Sequence, residues 1–207
     1  MKVYIRTTGE RILHPSIQRE LGNNYQLLID REHRPVDSFI DQLELISEDD
    51  ALLLEDDIIL CHNFLQEVNK AVSQFPNLVI NFFNSPLDYY TSHIATNHFC
   101  WNQCTYYPKE LSKIIATEMR RQRGTYTQYD TLEKHAMTYK GIAYVNYRPM
   151  LVQHIDYSSL IQKAGICKRR TRYFKDYLDE LGIDITEAYK YNYQLQKILD
   201  REFPKEE

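Results

Sequence analysis

Hydrophobic positions along the first 83 residues switch between the two-residue period of strands and the three- and four-residue steps of helices. Residues 2–8 carry Val3, Tyr4 and Ile5 and run into Thr7-Thr8-Gly9, which predicts a strand, a turn and then a ligand-facing loop. His14-Pro15-Ser16 opens a short helix to about Leu21, stopped by Gly22-Asn23-Asn24. Residues 25–30 read as a second strand ending in an acid, Asp30, so the opening is a βαβ unit with parallel pairing. Val36, Phe39, Ile40, Leu43 and Ile46 mark an amphipathic helix begun by Pro35. It leads into an apolar run over 51–60, then a helix over 62–75 and a strand over 78–83.

The regularity breaks after Asn84. Residues 85–107 are polar, aromatic and irregular, with Tyr89, Tyr90, His93, His98, Phe99, Trp101, Tyr106 and Tyr107, a length that marks a functional insertion more often than a mere connection. Pro108 opens a helix to about Arg123, and Asp130 caps another to about Tyr139, with Glu133 at the capping-box position. Strands over 141–145 and 149–155 follow, then helices over 173–181 and 186–203. The expected fold class is α/β, a Rossmann-like, mainly parallel sheet flanked by helices over 1–160, with a C-terminal helical extension over 161–207 packed on it.

The apolar run over 51–60 contains Glu55-Asp56-Asp57. Three unpaired carboxylates are too costly inside a buried strand, at several kcal/mol each, so they are expected where the strand ends. The C-terminal edge of a parallel sheet is where α/β proteins bind ligands. Crowded carboxylates there make a hard oxygen site suited to Mg²⁺ or Mn²⁺ together with substrate phosphates. A solvated acidic turn is the alternative.

Composition narrows this picture. The 207 residues include 43% hydrophobic and 26% charged positions, as in a globular domain able to bury a core, and a net charge of −4 argues against a general nucleic-acid binder. No membrane-length apolar run occurs, and the chain begins directly as a strand, which together predict a cytoplasmic protein. Cys61, Cys100, Cys104 and Cys167 lack zinc-ligand spacing and read as free thiols. The 17 tyrosines suit sugar or base stacking as well as ordinary packing.

An apolar strand ending in Leu54-Glu55-Asp56-Asp57-Ile58, entered from a βαβ half and followed by Asn63-Phe64, resembles the acidic metal motif of GT-A-fold glycosyltransferases. It is similar in particular to the N-acetylglucosaminyltransferase IV and lipooligosaccharide-type transferase families. Val152-Gln153-His154-Ile155 with Ser158-Ser159 adds to the resemblance, while Asp156-Tyr157 departs from it where the relatives tend to have glycine. The resemblance implies a GT-A-like fold and a metal-dependent, inverting hexosyltransferase that moves a sugar from a nucleotide-diphosphate donor, a UDP-sugar, to a hydroxyl acceptor. It implies Asp57 and His154 as ligands of Mn²⁺ or Mg²⁺, with Glu55 or Asp56 at the ribose or a metal-bound water. Arg6, Thr7, Thr8, Asp30, Trp101, Ser158 and Ser159 would complete the donor site, and Asp130 would be the general base.

The acceptor is expected to be a glycan or a hydroxymethylated base in DNA, the latter admitted by basic clusters at Arg120-Arg121-Arg123 and over 168–175. Competing expectations are a metal-dependent nucleotidyltransferase and a non-catalytic nucleotide-sugar-binding module.

Overall fold

The computed structural model describes residues 1–84, 93–95, 99, 101–155 and 169–204. The chain is α/β, as expected: a mainly parallel, Rossmann-like sheet carries helices on both faces and a helical C-terminal part. Its first half runs β1 (Lys2–Thr7), α1 (Pro15–Leu21), β2 (Gln26–Ile29), α2 (Pro35–Leu45), β3 (Ala51–Glu55), β4 (Ile58–Leu60), α3 (Phe64–Gln74) and β5 (Val79–Asn81). The second half adds β6 (His93–Ala95), β7 (Cys104–Tyr107), α4 (Leu111–Arg121), α5 (Tyr129–Lys140), β8 (Tyr144–Asn146), β9 (Val152–His154), α6 (Lys175–Leu181) and α7 (Asn192–Glu202). Among the described residues no helix is long and apolar enough to cross a membrane.

The main sheet has seven strands in the order β2-β1-β3-β7-β5-β8-β6. Strand β1 pairs in parallel with β2 and β3, and β5 in parallel with β8, whereas β7 lies antiparallel between β3 and β5. Its inner strands are buried on both faces, so each supplies two layers. Val3, Ile5, Leu52 and Leu54 join a core with α1, α3, α6 and α7, while Tyr4, Ala51 and Leu53 join a second core with α2, α4 and α5. Alternation along a pleated strand produces this division.

Three expectations change. The run over 51–60 is two strands, because β3 stops at Glu55, Asp56 and Asp57 form a bend, and β4 pairs with β9 in a separate two-stranded sheet. Splitting the run keeps Leu54, Ile58 and Leu60 fully buried while the acids occupy the corner. The stretch expected to be irregular up to Tyr107 contains β6 and the central strand β7. The helix expected over 186–203 begins as a 3₁₀ turn over Ile185–Tyr191 before α7.

The C-terminal part is tied to β9. The Gln153 amide nitrogen donates to the Thr171 carbonyl (2.8 Å), and its oxygen accepts from the Thr171 N–H (2.9 Å). Tyr177, Leu178, Leu195 and Leu199 enter the same core as Val3 and Leu52.

Candidate functional site

The C-terminal ends of the parallel strands gather the chemistry-bearing residues on one edge. In register, Thr7 ends β1 beside Ile29, and Arg6 pairs with Glu55 at the end of β3. Because β7 runs the other way, its start at Cys104 pairs with Leu54 and brings Trp101, Asn102 and Gln103 to the same edge. The small sheet adds the distant partner: Ile58 pairs with His154, and the Ile155 N–H donates to the Asp57 carbonyl (2.8 Å).

Asp57 Oδ2 lies 3.5 Å from His154 Nε2, with both residues buried at 8% and 4% exposure. Asp57 Oδ1 is buried with no hydrogen-bond partner, an arrangement that is costly unless a ligand supplies one. Asp56 is held on both sides, accepting from the Thr7 hydroxyl (2.5 Å) and the Arg11 guanidinium (3.0 Å). Arg11 Nη1 also reaches Asp57 Oδ2 at 2.7 Å. Burial pushes the Asp57 carboxyl up, but His154 and Arg11 outweigh it and hold the group below its usual value. Burial likewise opposes charge on Arg11, and Asp57 and Asp56 overcome it to raise that guanidinium's pKa.

Glu55 projects to the other face of the sheet, where Arg6 Nη1 meets Oε1 at 3.2 Å and the Tyr129 hydroxyl donates to the same oxygen. The Arg6 guanidinium sits over the Phe39 ring (4.8 Å) and the Tyr129 ring (4.3 Å). Burial and the nearby Asp57 charge raise the Glu55 pKa, against the lowering effect of Arg6. Arg6, expected at the donor, is therefore engaged in a buried pair that fixes Glu55. Thr7, also expected at the donor, is engaged within the chain, its hydroxyl donating to Asp56 and accepting from the Gly9 N–H, whereas Thr8 Oγ1 is buried without a partner.

Asp30 follows β2, where its N–H donates to the Thr7 carbonyl (2.8 Å) and Oδ1 accepts from the Arg34 N–H (3.2 Å). Trp101 is half-buried with φ 53°, a conformation bulky side chains rarely adopt, and its carbonyl accepts from Asn81 Nδ2 (3.3 Å). Its ring centroid is 6.2 Å from Phe83, which lies 6.3 Å from the His154 ring, so an aromatic wall leads from Trp101 to the Asp57–His154 pair. The Arg169 guanidinium lies over the Trp101 ring (5.5 Å). Ser158 and Ser159 fall outside the described residues, as do Asp156, Tyr157, Cys100, Cys167 and Lys168.

Asp130 does not cap α5. Gln128 holds the N-cap position, and Asp130 lies within the first turn with Oδ1 accepting from the Thr131 N–H (2.7 Å). Glu133 leaves the capping-box role as well: it is fully buried, accepting from the Tyr107 hydroxyl (2.5 Å) and Asn102 Nδ2 (2.6 Å). Asp130 stands next to Tyr129 and hence near Glu55, but among the described residues no hydrogen bond or ion pair joins it to Asp57 or His154.

Among the described residues no group of three His, Cys, Asp or Glu side chains is placed to hold a metal ion. Asp57 and His154 offer a carboxylate and an imidazole, a set that leaves positions for phosphate oxygens and water. The basic cluster of α4 is internally engaged: Arg120 pairs with Asp41 and Glu44, Arg121 with Glu118, and Arg123 with Asp37. These three side chains remain about half exposed, so the pairs are surface pairs.

Arg11 and Tyr129 were not legible as site residues. For Arg11 the only signal was its place in the loop after β1, where Gly9 at φ 82° turns the chain back toward the acids. For Tyr129 it was adjacency to Asp130.

No family model matches the chain, and no curated protein does. Among solved structures, A197 from STIV is similar at 13% identity with a TM-score of 0.46, over 75% of this chain and 86% of that one. Likeness at that level carries no functional inference, so function has to be argued from the site.

Proposed function

We propose that this chain is a GT-A-like, metal-dependent glycosyltransferase that moves a sugar from a nucleotide-diphosphate donor, a UDP-sugar, to a hydroxyl acceptor with inversion. The observation that carries the proposal is the approach of His154 to Asp57 at the corner where β4 leaves the main sheet, with a buried carboxylate oxygen of Asp57 awaiting a partner. A Mn²⁺ or Mg²⁺ ion bound there supplies Lewis-acid stabilisation of the departing diphosphate. Asp57 and His154 would hold that ion, and Asp56, oriented by Thr7 and Arg11, would face the ribose or a water on the ion. Thr8 and Asp30, at the ends of β1 and β2, contact the nucleoside, and Trp101 packs against the sugar.

Asp130 takes the proton of the acceptor hydroxyl as its oxygen attacks the anomeric carbon, and the bond from that carbon to the diphosphate breaks on the opposite face. One Asp130 oxygen is oriented by the Thr131 N–H, which leaves the other for the acceptor. The acceptor is a glycan or a hydroxymethylated base in DNA, and transfer assays on the two classes separate them.

A panel of nucleotide sugars tested by thermal unfolding with and without Mn²⁺ decides the matter. A true donor at a hundred times its Kd adds about 2.7 kcal/mol, and only with the metal. Asp57→Asn removes that gain, whereas Asp130→Asn keeps it and abolishes transfer. The absence of a metal-dependent shift from every donor would overturn the proposal.

A further inference from the structure

Arg11 is the cation that the acidic corner already contains. Its single Nη1 nitrogen bridges Asp56 Oδ1 (3.0 Å) and Asp57 Oδ2 (2.7 Å), and that same Asp57 oxygen is the one facing His154. The Arg11 side chain is mostly shielded, at 15% exposure, so its charge acts in a weakly screened setting. It arrives on the loop after Gly9, whose N–H donates to the Thr7 hydroxyl (2.9 Å), the same hydroxyl that donates to Asp56. The loop and the acids are thus linked through Thr7 as well as through Arg11.

A divalent ion and a guanidinium on the same Asp57 carboxylate, the one drawn by the unpartnered Oδ1 and the other already on Oδ2, repel each other across it. A planar guanidinium also matches phosphate oxygens in a paired geometry. We propose that Arg11 is an exchangeable counter-cation: it holds Asp56 and Asp57 in place, gives up Asp57 when a divalent ion engages that carboxylate, and turns to the diphosphate of the nucleotide. This deepens the metal-dependent transfer proposed above and rests on it. Arg11 is then both a competitor of the free metal and a ligand of the metal–nucleotide pair, roles that removal of its charge pulls in opposite directions.

The test measures Mn²⁺ binding alone by titration calorimetry, then UDP binding at saturating Mn²⁺, for the unaltered protein, Arg11→Gln, Arg11→Lys and Asp57→Asn. Arg11→Gln should bind Mn²⁺ alone about tenfold more tightly and UDP with Mn²⁺ about tenfold more weakly. Arg11→Lys, which keeps the charge without the paired geometry, should bind Mn²⁺ nearly as the unaltered protein does yet still lose UDP affinity; it also stands in if the glutamine variant does not fold. If the unaltered protein binds Mn²⁺, Asp57→Asn does not, and Arg11→Gln matches the unaltered protein in both titrations, the metal site stands and the exchange is refuted. If neither the unaltered protein nor Arg11→Gln binds Mn²⁺, the metal site and the exchange fall together.

Discussion

Replacing Glu133 by glutamine removes a titrating carboxyl from the interior while keeping its shape. Glu133 is fully buried on α5 and is held against β7 by the Tyr107 hydroxyl and Asn102 Nδ2, with Thr105 in turn donating to Asn102 Oδ1 (2.5 Å). Burial pushes its pKa up to about 8; the Tyr107 hydrogen bond opposes this and the charge of Asp130 adds to it. In the unfolded chain the group titrates near its ordinary 4.5. Between those values the folded protein keeps a proton that the unfolded chain has lost. Stability therefore falls as pH rises through that window and levels off above about 8. The gap corresponds to on the order of 5 kcal/mol at full development, an amount comparable with a large part of a domain's net stability. Glutamine replaces one of the two accepting oxygens by an NH2 group that only donates, so its nitrogen has to face the Tyr107 hydroxyl, which can turn to accept, with its carbonyl toward Asn102 Nδ2; because it does not titrate, the variant should gain several kcal/mol on the unaltered protein between pH 5 and pH 8, whatever fixed offset the exchange brings. Urea unfolding at pH 5, 6.5 and 8 reads the difference directly. Parallel stability profiles for the two proteins would refute the assignment of a neutral, buried Glu133.

Other outcomes follow from the same contacts. Arg6→Met leaves Glu55 buried without its cation and should cost about 3–5 kcal/mol in urea unfolding; adding Glu55→Gln should recover most of the loss, and equal stability of the single and double variants would contradict the buried pair. Arg120→Ala breaks exposed pairs with Asp41 and Glu44 and should change stability by less than about 1 kcal/mol, with a still smaller effect at high salt. Burial raises the thiol pKa of both Cys61 and Cys104, so mass spectrometry after alkylation of the folded protein at pH 8 should find these two unmodified, and denaturant should expose them.

What the sequence made legible depended on whether the signal was local. Helices α2 and α3 were visible because their apolar positions repeat along one face, α1 and α4 because Pro15, Gly22 and Pro108 punctuate them, and α5 was placed through a cap at Asp130 that Gln128 in fact supplies. The acids were visible because Glu55-Asp56-Asp57 violates the rule that an apolar strand stays uncharged. That they sit in a bend between two sheets was not visible, since Leu54 and Ile58 are equally apolar whether one strand or two contain them. His154 was tied to Asp57 by resemblance alone, because pairing between β4 and β9 is a long-range event without a local marker. Arg11 had no pattern to betray it, since a loop residue follows no period.

The strand that escaped notice explains more of the site than those that did not. Cys104-Thr105-Tyr106-Tyr107 is short, buried on both faces and preceded by the polar Asn102 and Gln103, so neither alternation nor an apolar run marks it. Yet by lying antiparallel between β3 and β5 it delivers its N-terminal approach, and not its C-terminal exit, to the edge where the parallel strands end. Gln103 thereby accepts from the Glu55 N–H through its carbonyl (2.9 Å), and Trp101 comes to the wall beside His154. A parallel strand in that position would place Tyr107 at the edge and send Trp101 to the far end of the sheet. The same reversal leaves Tyr107 deep in the second core, where its hydroxyl reaches Glu133 on α5, two turns or less from Tyr129 and Asp130. One strand direction thus sets both the aromatic wall on one side of the acidic corner and the seating of the helix that carries the proposed base on the other.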